Sequence, residues 1–408
     1  MKAVRSDSGR YELVSLESIA QVQFGHRQFP QMHVLPCGDW LVTFCWTDDA
    51  YFAKSGYLRS TDRGRTWTEG GWATDSGCLV ELGGDEVGLF DSFYPLHREG
   101  DDYVIQACYS ADGGRSFGPV NLQVPVHCPG AVRSTLAEMM QAYFALPCFP
   151  WNRFFKGNGY PAIAPGWPET AKKIVFGGAG PTGNAVRLDD GRILSTSYAK
   201  GRRQGLSVDY YFAFVLESTD RGRSWRQVGV VPWEPGIAGE EGLFGCTGFT
   251  EAGLAQLDGG ELLVVLRAGS HQPLAASRST DAGRTWSKAE RVRLDGGKEF
   301  AKGVFPMLRR LHDGALACVY GRPGIHLMTD PSGSGRGWRH EIDLAEIEHE
   351  SCRRNGSPSD DFFSTENVGL AELSPGELAI TYDLWGWQEA KDKPSVRQTL
   401  RLARLRQV

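Results

Sequence analysis

The sequence predicts an all-β fold, a six-bladed β-propeller of four-stranded antiparallel blades, and three observations carry that expectation. A turn motif of the form Ser-x-Asp-x-Gly-x-Thr/Ser-aromatic recurs along the chain. A Gly-containing hairpin recurs independently of it. The apolar runs between these signals are strand-sized, as in Leu262 to Leu266, and too short to span a membrane.

The turn motif has four good copies. They are Ser60 to Trp67, Ser110 to Phe117, Ser218 to Trp225 and Ser279 to Trp286, and a decayed fifth runs from Thr329-Asp330 to Gly337-Trp338. Each part has a physical task. The Asp accepts hydrogen bonds from the N–H groups of its own turn. The Gly takes a positive φ, and the aromatic buries itself between neighbouring sheets. These aspartates are read as structural, not catalytic.

The hairpins centre on Pro36-Cys37-Gly38-Asp39, Arg98-Glu99-Gly100-Asp101, Asp189-Asp190-Gly191-Arg192, Asp258-Gly259-Gly260-Glu261, His312-Asp313-Gly314-Ala315 and Ser374-Pro375-Gly376-Glu377. Six hairpins imply six blades in a single domain spanning 1–408. The widest gap, between Gly100 and Gly191, holds the one helix-like stretch, Val132 to Leu146, and a Pro- and aromatic-rich segment. Residues 125–180 therefore read as an insertion over one face. Gly178-Ala179-Gly180-Pro181-Thr182-Gly183 matches a dinucleotide fingerprint, but a hairpin follows it where the fingerprint needs a helix.

Composition narrows the function. Lys+Arg 44 against Asp+Glu 49 leaves a net charge of -5 without charge blocks, so nucleic acid and anionic membrane are not expected partners. The nine cysteines are scattered, with no Cys-x-x-Cys pair, so no metal or other cofactor is expected. They read as reduced thiols, and the polar N-terminus as that of a cytoplasmic protein.

Propeller geometry then selects a face. Residues just before each innermost strand and just after the second strand share one face, and the hairpins and Asp turns share the other. The mouth so defined collects His26, Arg27, Asp48 and Asp49 from the first blade. The third gives Asn184, Tyr198 and Lys200; the fourth, Glu251 and Arg267; the fifth, Arg322; the last, Glu366, Asn367, Tyr382 and Asp383. Carboxylates and guanidinium groups around one axis suit an anionic, hydroxylated ligand.

With these residues in hand the chain resembles the bacterial sialidase superfamily, over nearly its whole length except 125–180. The resemblance implies three arginines on the substrate carboxylate, a Tyr nucleophile activated by a Glu, and an Asp as acid/base. Thr250-Glu251, before Ala252 to Gly259, looks like the family's Glu position, and Arg267 like its second arginine. Arg322, in Tyr320-Gly321-Arg322-Pro323, is similar to the third, and Asp48 or Asp49 stands where the acid/base Asp would lie. Two positions depart. Gln28, with Arg27 beside it, occupies the first-arginine position ahead of Phe29-Pro30. Asn367 stands where the nucleophilic Tyr would be, and asparagine cannot take that covalent role.

The expectation is a sialidase-like glycosidase acting on an anionic, sialate- or uronate-type oligosaccharide or glycoconjugate. Glycoside hydrolysis needs paired carboxyl groups, which Asp48, Asp49, Glu251 and Glu366 can supply. Arg27, Arg267 and Arg322 would bind the substrate, with His26, Tyr198, Tyr382 and Asp383 around it. One alternative is a uronate lyase, with His26, His271, His326, Tyr198 or Tyr382 abstracting the proton. Another is a sugar-binding propeller without catalysis.

Overall fold

The structure is a computed structural model of the 408-residue chain. It describes residues 4–5, 10–22, 28–45, 55–71, 77–91, 96–97, 99–119, 122–130, 134–135, 175–176, 180–201, 210–234, 236–237, 247–269, 271–297, 299–356, 364, 367–386, 391–393 and 398–408.

The regular structure of the described chain is nearly all β, in antiparallel sheets, mostly four-stranded, that follow one another in sequence. The first is Gln28–Val34, Trp40–Cys45, Ser55–Ser60 and Thr68–Gly71. The second comprises Gly77–Gly83, Glu86–Asp91, Asp102–Ser110 and Leu122–His127. The third, Ala185–Arg187, Ile193–Gly201, Tyr210–Ser218 and Trp225–Val230, joins it edge to edge where Val126 and His127 pair in parallel with Trp225 and Arg226. The fourth is Thr250–Gln256, Leu262–Arg267, Ala275–Ser279 and Glu290–Arg291. The fifth is Val304–Arg310, Leu316–Gly321, Ile325–Asp330 and Arg339–Asp343. The last combines Val368–Ser374, Glu377–Trp385 and Gln398–Gln407 with the N-terminal strand Tyr11–Val22, edged by Val4–Arg5. The two ends of the chain are thus stitched into one sheet.

Hydrophobic clusters lie between consecutive sheets. Leu35 and Leu41 of the first meet Leu79, Val87 and Leu89 of the second. Phe90 and Ile105 meet Phe214 and Trp225, and Leu194 and Val215 meet Leu254 and Val264. Leu263 and Val265 meet Cys318 and Tyr320, and Val319 and Leu327 meet Leu370 and Tyr382. Ala379 and Leu402 close back onto Met32 and Val42 of the first sheet. Second strands such as Leu262–Arg267 and Leu316–Gly321 therefore bury both faces, one against each neighbour, whereas the outer strand Thr68–Gly71 is largely exposed.

The innermost strands approach so closely that glycine is required at the contacts. A Cβ on Gly369 would lie 2.6 Å from both Met32 N and Pro30 O of the first sheet; one on Gly253 would lie 2.6 Å from Pro306 O of the fifth. Backbone atoms cannot step aside as a side chain can. Gly369→Ala is expected to cost about 1–3 kcal/mol of stability, read from the urea midpoint, with a cost below a few tenths contradicting the close approach.

The Asp turns join third to fourth strands. In the first, Ser60 Oγ donates to Asp62 Oδ1 at 2.8 Å and accepts from Gly64 N at 2.7 Å, while Thr66 N and Oγ1 donate to the two Asp62 oxygens at 2.9 and 2.7 Å. Asp112, Asp220 and Asp281 repeat these contacts. Asp330 holds an enlarged version with Ser332, Ser334 and Gly337, and Trp338 Nε1 donates to Gly335 O at 3.0 Å as Trp286 Nε1 does to Gly283 O.

Three expectations are corrected. The inner hairpin of the second sheet turns at Gly84-Asp85, between strands Gly77–Gly83 and Glu86–Asp91; Glu99-Gly100 instead leads into the third strand. Residues 125–127 belong to the second sheet, so the proposed insertion cannot begin at 125; Val132–Leu146 lies almost wholly outside the described residues. The helix that is described, Leu344–Arg354, was not anticipated. Asp343 caps it by accepting from Ala345 N, and Leu344, Ile347 and Cys352 give it one apolar face.

Buried thiols and the half-buried imidazole of His33, whose Nε2 is shielded from solvent, have shifted titrations. Burial pushes Cys78, Cys108 and Cys128 up to about 12, so they stay protonated and unreactive. Burial, then the Arg309 guanidinium, push His33 down from 6.5 to about 3. The unfolded chain then binds a proton that the folded one refuses. Stability falls as pH drops from 6.5 toward 3, with a slope on the order of 1 kcal/mol per pH unit. The N–H and hydroxyl of Thr66 pull Asp62 from 3.8 to about 2, so its turn keeps its contribution above pH 3.8 and loses it as pH falls from there toward 2. His33→Gln is expected to flatten the limb above pH 4 and leave the lower one; an unchanged upper limb would contradict the assignment.

Candidate functional site

The site grows from irregularities where the innermost strands begin. The register slips between Thr250 and Ala252 in the fourth sheet, between Gln28 and Gln31 in the first, and between Val304 and Met307 in the fifth. At each bulge a non-glycine residue takes a left-handed backbone: Phe29 (φ 56), Glu251 (φ 21) and Phe305 (φ 49). Bulges re-aim side chains, and strained φ values of this kind cost of order 1–3 kcal/mol each. Proline is tolerated at such positions, which accounts for the repeated Phe29-Pro30 and Phe305-Pro306.

The bulges bring three sheets together. Arg267, register partner of Thr250, donates from Nη1 to Glu251 Oε1 at 2.7 Å. Phe305 N of the fifth sheet donates to Glu251 Oε2 at 3.0 Å. The Phe305 ring in turn meets Phe29 of the first sheet, with centroids 5.9 Å apart. The Arg267 and Glu251 side chains are only 4% and 12% exposed. A guanidinium and a carboxylate this dry attract more strongly than any rim pair in water.

The other expected residues divide. Arg322 lies at the same end of the fifth sheet, half-buried with φ 58, in a turn closed by Arg322 N to Gly324 O at 3.2 Å. Tyr198 is half-buried against Tyr211, ring centroids 6.0 Å apart. Asp383 is fully buried at the same end of the last sheet, its Oδ2 accepting from Trp385 Nε1 and its Oδ1 from Ser364 Oγ at 3.4 Å. Asn367 is buried immediately before the inner strand Val368–Ser374.

Tyr382 is set aside as a mouth residue. One position along a strand reverses side-chain direction, and Tyr382 faces the cluster between the fifth and last sheets, its hydroxyl donating to Glu348 at 2.7 Å. Asn184 is also committed elsewhere: it accepts from Leu254 N at 2.8 Å and donates to Leu254 O, so its amide bridges two inner strands. His26, Arg27, Asp48, Asp49 and Glu366 lie outside the described residues. Among the described residues no group of three His, Cys, Asp or Glu is placed to hold a metal ion.

Sequence reasoning named Glu251 and Arg267, which the structure pairs, and gave no role to Phe29 or Phe305. The signal was present in the Phe-Pro pair that opens both inner strands.

No protein-family model matches the chain, and no curated protein does. Solved structures do. A protein of unknown function from Dyadobacter fermentans superposes with a TM-score of 0.65 at 17% identity, covering 98% of this chain and 99% of that one. Trypanosoma rangeli sialidase, in complex with the inhibitor DANA, gives 0.54 at 14% identity over 98% of this chain and 57% of its own. Penicillium chrysogenum α-L-arabinanase, complexed with arabinobiose, gives 0.53 at 13% identity and covers 98% of both chains. The fold shared with these structures is the β-propeller. The chain thus spans little more than half of the trypanosome sialidase and almost all of the arabinanase.

Proposed function

We propose that the protein is a glycoside hydrolase that cleaves an anionic, sialate- or uronate-type glycoside in the mouth of a six-bladed propeller. The observation that carries this reading is the Arg267–Glu251 pair, nearly dry and at the end of the sheets where the inner strands begin. Similarity to sialidase and arabinanase structures supports a carbohydrate substrate. The six clusters between consecutive sheets, the last returning to the first, support the blade number.

In this reading Glu251 is the carboxylate that activates water or attacks the anomeric carbon. Its orientation is fixed from two sides, by Arg267 Nη1 and Phe305 N. Glu366 is the other candidate for that role. Asp48 or Asp49 supplies the proton to the leaving oxygen, as paired-carboxyl hydrolysis requires. Arg267 orients Glu251 through Nη1 at 2.7 Å and, in this reading, its positive charge also faces the substrate anion. Arg322 and Arg27 extend the anionic grip. Asn367 at the family's Tyr position supports a route without a tyrosyl intermediate.

The test is a panel of 4-methylumbelliferyl glycosides, namely a sialoside, a glucuronide and a neutral arabinofuranoside, with ultraviolet monitoring for unsaturated products. Release from an anionic member without new ultraviolet absorbance is the expected result. Turnover of the arabinofuranoside alone would overturn the anionic assignment, and an unsaturated product would replace hydrolysis by elimination.

A further inference from the structure

We infer that Phe29 is a sugar-stacking residue, so that the site takes a pyranoside with its C–H face on an aromatic floor and its anionic group toward Arg267. The inference rests on the proposed glycosidase reading and adds the face of the substrate to it. Phe29 and Phe305 belong to the first and fifth sheets, and the last sheet packs between those two, yet their rings meet at 5.9 Å and an interplanar angle of 59°. Contact across an intervening sheet is possible only where the inner strands converge. The second ring of the pair is fixed to the carboxylate, because Phe305 N donates to Glu251 Oε2.

The two rings differ in exposure. Phe305 is 7% exposed and acts as the underlayer, whereas Phe29 is only half-buried and offers the open surface. Holding a phenyl ring there requires a left-handed backbone at both residues, next to a proline each time. A chain that needed only to plug the axis could do so with an unstrained aliphatic side chain. Strain is maintained at three linked bulges, one carrying the carboxylate, one donating to it and one stacked on the second, which is the pattern of a built ligand seat. A pyranose ring presents one face of axial C–H groups, and an aromatic ring removes that face from water without demanding a hydrogen bond. The floor is apolar and its wall is charged.

The experiment uses the full chain carrying Glu251→Gln, which keeps the mouth but removes the carboxylate charge. Binding of N-acetylneuraminic acid and of glucuronic acid is followed by saturation-transfer NMR, with and without a change at Phe29. Phe29→Ala is expected to weaken the bound sugar about tenfold or more, and Phe29→Tyr, which keeps the ring, to restore it. Transfer is expected to be strongest at the ring C–H protons. Far-ultraviolet circular dichroism and the melting temperature confirm that each variant is folded. Equal affinity for the Ala and Phe proteins overturns the inference, as does failure of both sugars to bind at all. Its failure is separable from that of the glycosidase reading, because turnover of the panel glycosides by the unsubstituted chain is measured independently.

Discussion

Glu348→Ala is expected to cost about 3–5 kcal/mol of stability, among the largest single losses available in this fold. Glu348 sits on the Leu344–Arg354 helix, 1% exposed, and reaches into the last sheet. Arg401 Nε donates to its Oε1 at 2.6 Å and Arg401 Nη2 to its Oε2 at 3.2 Å, while Tyr382 Oη adds a bond at 2.7 Å. Arg401 Nη1 continues to Ser18 Oγ at 2.7 Å on the N-terminal strand. One carboxylate therefore ties the helix to strands from both ends of the chain. Removing it leaves a 5%-exposed guanidinium and a buried hydroxyl without their acceptor, which is where the cost arises. Replacing both charges, Glu348→Leu with Arg401→Met, is expected to recover most of the loss, since no unpaired charge remains. Urea unfolding followed by tryptophan fluorescence reads both. A loss below about 1 kcal/mol in the single variant would show that the pair is not desolvated.

Arg267→Ala is expected to lower kcat/KM by about 100-fold or more on whichever anionic glycoside the chain cleaves. Two effects combine. The substrate anion loses a desolvated guanidinium, and Glu251 loses the bond that fixes its Oε1, while Phe305 N still holds Oε2. Arg267→Lys is not expected to restore the rate, because an ammonium is a point donor and cannot serve the carboxylate and the substrate in one plane. The melting temperature separates the chemical effect from the stability cost of an unpaired Glu251. If Lys restores full activity, Arg267 contributes charge alone, and the double role is wrong.

Much of the fold was legible because its signals are local. A Ser-x-Asp-x-Gly turn is closed by bonds within seven residues, so Asp62, Asp112, Asp220 and Asp281 could be read as structural from spacing alone. The hairpins at Gly38, Gly191, Gly260, Gly314 and Gly376 were visible for the same reason. The inner hairpin of the second sheet was misplaced at Gly100, although Gly83-Gly84-Asp85 offered the better signal after an apolar run. The pairing of Tyr11–Val22 with Gln398–Gln407 was not legible, since nothing within either segment names its partner. At the site, the ends of strands were foreseeable but their facing was not. Tyr382 and Asp383 are adjacent in sequence and point to opposite sides of their sheet. The bulges that turn Phe29, Glu251 and Phe305 toward one another depend on contacts between sheets, so the Phe-Pro pairs carried their meaning only in three dimensions.

The claim that the Arg267–Glu251 pair is the reaction centre is tested most directly by assaying Glu251→Gln on the glycoside that the unsubstituted chain turns over best. Gln keeps the size and can still accept from Phe305 N, but it can neither activate water nor attack. The account predicts turnover reduced to background with the melting temperature little changed. Activity equal to that of the unsubstituted chain, in a folded variant, would remove Glu251 from the chemistry.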